Sequence, residues 1–177
     1  MSNAMTSERL GALMTELLES AVFVFSEQIA PAPWDDPAVW CAHLELEQDK
    51  KFQMSVGVPK ELALTLAANL LGLEPDSVEA QESLGDSVGE MANMLAGLLA
   101  VELFGKDVVC RIGVPTVIQG SGADHDAFAA QAACRASLKT EEDQRVDVCL
   151  FEGAVEFVVA PAEPGVDKTP TPTGDNP

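Results

Sequence analysis

The segment from Ser77 to Phe104 most constrains the fold, because its apolar side chains recur at helical spacing. At 100° per residue, the side chains within roughly 60° of Val88 form one apolar stripe: Leu84, Met91, Leu95 and Leu99. The residues at roughly 140° to 200° form a second, polar row: Asp86, Glu90, Asn93 and Gly97. The pattern predicts one long helix that buries its apolar side and turns the polar row away from the core.

A polar row opposite a buried stripe is typical of any surface helix, so the spacing alone does not indicate a function. Three details favour a binding surface. Asn93 lies mid-helix, where Lys, Gln or Glu would be better helix formers. Gly89 and Gly97 each cost a helix roughly 1 kcal/mol relative to alanine. Gly97 is also in line with the polar row, where a missing side chain would let another molecule come close.

The rest of the chain predicts an α+β fold. Residues 39–48 alternate between apolar and polar side chains, which predicts a half-buried strand, and residues 51–58 would return as the second strand of a hairpin. We expect further helices within 7–25 and 59–73, and further strands within 108–120, 129–140 and 145–160. Short paired strands favour antiparallel pairing. The expected order is therefore α-β-β-α-α-β-β-β, with an antiparallel-rich sheet packed against long helices.

The two ends of the sequence differ from the rest. Residues 1–4, followed by a second methionine, look like the remnant of an expression tag. Residues 161–177 hold five of the eleven prolines and almost no large apolar side chains, which predicts an acidic, proline-rich tail. The expected domain therefore covers residues 5–160.

Charge and cysteine spacing argue against several classes of function. The net charge of −19 would repel nucleic-acid phosphates and anionic lipid, so we expect neither a nucleic-acid partner nor a membrane partner. No stretch approaches the roughly eighteen apolar residues of a membrane span, and no signal peptide opens the chain, which favours a cytoplasmic protein. The four cysteines are far apart, which favours reduced, mostly buried thiols over a metal site. Asp124, His125 and Asp126 could suggest a metal site, but a solvated loop is the better prediction.

The polar row also resembles a known signature. Asp86, Glu90 and Asn93, followed by Pro115 in the segment GVPTVIQG, are similar to the motif of the CheC/CheX family of chemotaxis phosphatases. The flanking segment GEMANMLAG looks like that family's signature helix, and the likeness covers roughly residues 7–158. The chain has one full copy of the motif, which is similar to CheX rather than to CheC.

The resemblance implies a function and a role for each residue of the motif. Family members hydrolyse the aspartyl phosphate of a CheY-like receiver, which carries its own Mg²⁺ and lysine, so no cofactor is expected on this chain. Asn93 would orient the attacking water, and Glu90 would dock on the receiver lysine. Asp86 would extend the acidic edge, Gly97 would allow close approach, and Pro115 would shape a strand beside the site. The resemblance also implies a homodimer with sheets joined across the subunits.

Two other functions stay open. The same fold could serve as a non-catalytic module that binds a receiver or a flagellar-switch partner. An unrelated scaffold would instead require the polar row to be packed inside the core. The accessibility of Asn93 separates the scaffold from the other two functions, and a dephosphorylation assay separates the enzyme from the module.

Overall fold

The computed structural model describes residues 5–156. The predicted tag remnant, the predicted tail and residues 157–160 of the last predicted strand lie outside these residues. Within them that strand ends earlier than predicted, at Glu152. The helices are α1 (Ser7–Leu17), which a π-helical turn (Leu18–Val22) continues, α2 (Lys60–Leu71), α3 (Val78–Glu82), α4 (Leu84–Phe104) and α5 (Gly122–Ala129). The strands are β1 (Ser26–Ile29), β2 (Val39–Glu47), β3 (Lys51–Pro59), β4 (Arg111–Ile112), β5 (Thr116–Gly120), β6 (Cys134–Thr140) and β7 (Arg145–Glu152).

These strands form one antiparallel sheet, which confirms the predicted α+β class. The strand order is β1-β6-β7-β3-β2, and both β4 and β5 pair with the outer side of β2. The predicted hairpin is present, with Val39 opposite Pro59 and Glu47 opposite Lys51. The order of the predicted elements is kept, and the structure adds β1, the β4–β5 division and α5.

The two faces of the sheet bury different layers. On one face, Leu44 of β2 and Val56 of β3 belong to the same buried cluster as Met91 and Leu95 of α4. Helices α1 and α2 complete this layer. On the other face, Phe128 of α5 packs against β7. The alternation of β2 follows from this arrangement, since successive side chains of a strand point to opposite faces.

The prediction of one continuous helix over 77–104 is wrong at Ser83. There the backbone leaves the helical region, with ψ at 11°, and the segment divides into α3 and α4. Helix α3 has its own start, because the Ser77 side chain accepts a hydrogen bond from the Ala80 amide. Ala80 is the one buried residue of α3, whereas α4 buries residues along most of its length. The break therefore lets the shorter helix leave the path that α4 follows across the sheet.

The prediction of a solvated loop around Asp124 is also wrong. The segment forms helix α5, which a capping box begins: the Ser121 side chain accepts from the Asp124 amide, and the Asp124 carboxylate accepts from the Ser121 amide. His125 points inward and is buried, and Asp126 accepts hydrogen bonds from Arg135 and from the Trp34 amide. Both aspartates are therefore engaged in the protein's own structure.

Helix α4 corrects the expectation that no stretch approaches a membrane span. Within residues 5–156 it is the one helix long and apolar enough, by length and composition, to cross a membrane. It was overlooked in the sequence because Asp86, Glu90 and Asn93 interrupt its apolar residues. Leu84, Val88, Met91, Leu95 and Leu99 are buried between the sheet and the neighbouring helices. The apolar character of α4 is thus explained by packing in the core of this domain.

Candidate active site on helix α4

The predicted polar row lies on the accessible side of α4. Asp86, Glu90 and Asn93 are exposed, and Gly97 is half-buried. The apolar stripe predicted from the same helix is buried. Because Asn93 is accessible, the structure contradicts the scaffold alternative, which required the row to be packed inside the core.

The row is narrow, because α4 is enclosed on its other sides. Between the exposed positions lie small buried residues: Ser87, Gly89, Ala92 and Ala96. Helix α2 packs along one side of α4, and β5 packs along another. A molecule approaching α4 therefore meets a single line of side chains and not a broad face.

Specific contacts fix the position of α4. The buried Ser87 hydroxyl lies 3.1 Å from the Ala63 carbonyl oxygen of α2 and 2.9 Å from the Leu84 carbonyl oxygen one turn earlier, and it can donate to either. At the other end, Arg9 of α1 forms a bidentate pair with Glu102, with N–O distances of 2.9 and 2.8 Å. Together with the buried stripe, these contacts hold the backbone that carries the row. A rigid helix is a precise support for positioned side chains.

Gly89 brings α4 close to the strand region that contains Pro115. A Cβ atom built on Gly89 would lie 3.3 Å from Val117 Cγ2 and 3.7 Å from Pro115 Cβ. Pro115 itself lies in the gap between β4 and β5 and is half-buried. It therefore lies beside the helix, on the flank between the buried stripe and the exposed row, at the residue next to Glu90.

Gly97 differs from Gly89 in its surroundings. A Cβ atom built on Gly97 would have no heavy atom within 4 Å apart from its chain neighbours and the adjoining backbone of its own helix. The fold therefore does not require a glycine here, and an added methyl group would project into open space. The missing side chain leaves a low point in the row, one turn after Asn93.

The functional side chains are not engaged elsewhere. Across residues 5–156, no ion pair or side-chain hydrogen bond involves Asp86, Glu90 or Asn93. Asp86 lies in the first turn of α4, where the partial positive charge of the helix N-terminus favours a carboxylate. An exposed carboxylate and an exposed amide, one turn apart on a fixed helix, can bind a cation and a water molecule on a partner surface.

Comparison with known proteins identifies the family. The profile described as chemotaxis phosphatase CheX matches residues 40–145, which include the whole of α4 and Pro115. The chain belongs to the CheX family. No curated protein sequence matches it.

Solved structures of CheX proteins share the fold. The chain is similar to CheX in a CheX-CheY-BeF3-Mg²⁺ complex from Borrelia burgdorferi, with 18% identity, a TM-score of 0.64, and coverage of 86% of this chain and 100% of that one. Chemotaxis protein CheX from Desulfovibrio desulfuricans gives 18% identity, a TM-score of 0.58, and coverage of 81% and 97%. FliY from Thermotoga maritima gives 13% identity, a TM-score of 0.52, and coverage of 85% and 93%. At these identities the likeness shows the fold.

The earlier helix α2 does not carry a second site of the CheX type. Its Asn69 amide donates a hydrogen bond of 2.7 Å to the Val22 carbonyl oxygen at the end of the π-helical turn. This contact attaches α2 to the segment after α1. The side-chain amide of Asn69 thus has a structural use, whereas the side-chain amide of Asn93 has none within the described part of the chain.

A buried Cys-His-Asp arrangement lies on the opposite face of the sheet. Cys41 Sγ is 3.3 Å from His125 Nδ1, and His125 Nε2 is 3.4 Å from Asp147 Oδ2. The order resembles a nucleophilic triad, but all three side chains are buried. Burial raises the pKa of the Cys41 thiol to about 12, with a further contribution from Asp147. A protonated, inaccessible thiol is a poor nucleophile, so this cluster is structural.

Asp147 is the centre of that cluster, and no pattern in the sequence indicated it. Burial raises its pKa, but polar contacts with His125, Arg145, Ser137 and Trp34 outweigh burial and hold the pKa well below its usual range. Arg135 also pairs with Asp147. These contacts join β6, β7, α5 and the loop before β2. Only the folded chain brings such separated positions together, so no local motif could have indicated the cluster.

Proposed function

We propose that this CheX-family protein hydrolyses the aspartyl phosphate of a CheY-like receiver, with Asn93 orienting the attacking water. The observation that carries the proposal is the exposed position of Asn93, one turn after Glu90 on a fixed helix, with neither side chain engaged within residues 5–156. Membership of a chemotaxis phosphatase family supports the same reaction.

The chemistry needs little more than a positioned water. An acyl phosphate is already reactive, and phosphoryl transfer depends mainly on alignment and on stabilisation of charge. The Asn93 carbonyl oxygen can accept a hydrogen bond from the water, while its NH₂ group can donate to a neighbouring oxygen. An amide does not take up a proton at neutral pH, so Asn93 acts by orientation. The receiver supplies the Mg²⁺ ion, and no cofactor is assigned to this chain.

Glu90 provides the docking contact. Its carboxylate would pair with the receiver lysine beside the phosphate, and Asp86 would extend the acidic edge by one turn. An exposed ion pair contributes little, but a pair that loses water at the centre of an interface contributes more. The B. burgdorferi CheX relative is described in a complex with CheY, BeF3 and Mg²⁺, which supports a partner of the same kind here.

A single-turnover assay tests the two roles separately. A receiver labelled at its phospho-aspartate is mixed with increasing concentrations of wild type, Asn93→Ala or Glu90→Ala. We expect Asn93→Ala to lower the maximal rate with little change in the half-saturating concentration, and Glu90→Ala to raise that concentration. Glu61→Ala, which removes an exposed glutamate from α2, is the control and should match wild type. Equal losses of affinity in both row variants would contradict the assigned roles.

A non-catalytic binding module remains the second candidate function. The observation that favours it is the likeness to FliY from T. maritima, because it shows that proteins of another name share this fold. A wild-type protein that binds the phosphorylated receiver but does not accelerate phosphate loss would establish the module and reject the enzyme.

The assembly and location are also proposals. We propose a cytoplasmic homodimer, in which a second copy covers part of the exposed apolar surface around β4. Val109 and Val114, on either side of β4, are among the most exposed large apolar side chains of the described chain. Sedimentation of wild type and of the Val109→Asp, Val114→Asp double variant tests this assembly: wild type should sediment as a dimer and the variant as a monomer. A monomeric wild type would reject it.

A further inference from the structure

We propose that Val101 is the apolar end of the receiver-docking row and fixes the direction in which the receiver lies along α4. This inference rests on the proposed function, and it adds a contact that the motif does not contain. It assigns to the receiver an apolar side chain facing Val101, in addition to the lysine that faces Glu90.

Helix geometry places Val101 on the polar row. Val101 comes eleven positions after Glu90, which corresponds to a net rotation of about 20° around the helix axis and a rise of roughly 16 Å along it. Gly97, one turn earlier, lies between Asn93 and Val101. The row therefore continues past Gly97 to a valine, and Glu90, Asn93 and Val101 share one side of the helix.

Exposure distinguishes Val101 from the other apolar residues of α4. Its side chain is 44% exposed, and it is the one large apolar residue of α4 that is exposed. Leu95 and Leu99, in the preceding turns, are fully buried. A β-branched residue is a weaker helix former than Gln, Lys or Glu, so an exposed position on α4 gives valine no advantage in folding.

The surroundings of Val101 leave little uncompensated charge at this end of the row. The neighbouring carboxylate of Glu102 is held in the bidentate pair with Arg9 of α1. Asp86 and Glu90, at the other end, have no such partner in the described part of the chain. The row therefore changes along its length, from free carboxylates through the Asn93 amide and the low point at Gly97 to an apolar side chain beside a neutralised pair.

This change of character gives the row a direction. A receiver placed with its lysine near Glu90 and an apolar side chain roughly 16 Å away satisfies both ends. The reversed receiver would place a lysine against Val101 and leave the Glu90 carboxylate against an apolar group, which is unfavourable at a desolvated interface. Val101 is therefore a specificity contact and takes no part in the chemistry.

The test compares Val101→Glu and Val101→Ile with a matched control in the same assay. Val78→Glu adds the same charge at a valine outside α4, in α3, that is 68% exposed. We expect Val101→Glu to raise the half-saturating concentration of this protein about tenfold or more, with the maximal rate within about twofold of wild type. Val101→Ile should bind as wild type does. Val78→Glu should also match wild type.

Two results would overturn the inference. An unchanged half-saturating concentration in Val101→Glu would show that the receiver does not contact this end of the row. An equal increase in Val78→Glu would show a general effect of added negative charge. Binding of BeF3-treated receiver, measured by fluorescence anisotropy, separates this inference from the proposed reaction. Weaker binding by Val101→Glu supports the docking contact even if wild type hydrolyses nothing.

Discussion

Replacing Gly97 with alanine should make the protein more stable and less active. The added Cβ meets no heavy atom within 4 Å beyond the adjoining backbone of its own helix, so the substitution introduces no clash inside the domain. Glycine in a helix interior is about 0.8–1.0 kcal/mol less favourable than alanine. We therefore expect the free energy of unfolding to rise by about 0.5–1 kcal/mol, and Tm to rise by about 1–4 °C for a chain of this size.

The same methyl group should interfere with the receiver. It would lie between the Asn93 amide and the Val101 end of the row, where the proposed complex brings the two proteins together. A displacement of about 1 Å at a reacting centre can lower a rate by roughly a hundredfold, so we expect a 10- to 100-fold loss of dephosphorylation rate. Thermal melting and the single-turnover assay measure the two effects on one sample.

Gly85→Ala is the matched control on the same helix. Its Cβ would lie at an ordinary contact distance of 3.6 Å from Trp40, away from the row, so activity should not change. If Gly97→Ala is stabilised and fully active, the receiver does not come close at this position. If Gly97→Ala is destabilised, the open space at Gly97 has been misjudged.

Three further predictions concern folding. Asp147→Asn should lower the free energy of unfolding by about 3–5 kcal/mol in chemical denaturation, because it leaves Arg145 without its carboxylate partner and Arg135 with only that of Asp126; a loss under 1 kcal/mol would contradict this. Burial, and to a lesser extent His125, lowers the pKa of His43 to about 4 in the folded protein. As the pH falls below about 6.5, His43 is therefore protonated in the unfolded chain before it is protonated in the folded chain. The free energy of unfolding of wild type should therefore fall by up to about 1.4 kcal/mol per pH unit between pH 6.5 and 4, relative to that of a His43→Gln variant. Identical dependence of the two free energies on pH would refute the assignment. Phe23→Gly should raise the free energy of unfolding by about 0.5–1 kcal/mol, since Phe23 has a φ of 59° and a mostly exposed side chain, whereas Phe23→Ala should give no such increase.

Local patterns predicted the elements whose signals are strong. The alternation of β2 and the return of β3 predicted the hairpin, and Pro59 and Gly72 marked the start and the end of α2. Gly72 has a φ of 68°, a conformation that glycine adopts without strain. The two faces of α4 followed from its periodicity alone, because the same 3.6-residue turn sets both the buried stripe and the exposed row.

The errors arose where the local signal was weak or the deciding contacts were distant. Helix α5 has eight residues and little apolar periodicity, so its capping box was the one available signal. Strand β1 has four residues and gains its partners from β6, more than a hundred residues later. The Asp147 cluster depends on residues that only the folded sheet brings together. The roles of Glu90 and Asn93 came from the family resemblance, and they stay predictions until the assay is done.

The enclosure of α4 has a consequence for how the protein can change. Most positions on this helix are occupied by packing, so a substitution there will be seen first as reduced yield or early melting. The few exposed positions can vary with little effect on folding. A mutational scan of α4 should therefore give two groups of variants with little overlap. Variants of one group do not fold stably, and variants of the other fold but no longer bind the partner. Recognition of a different receiver could evolve on this one line of side chains while the domain beneath it stays the same.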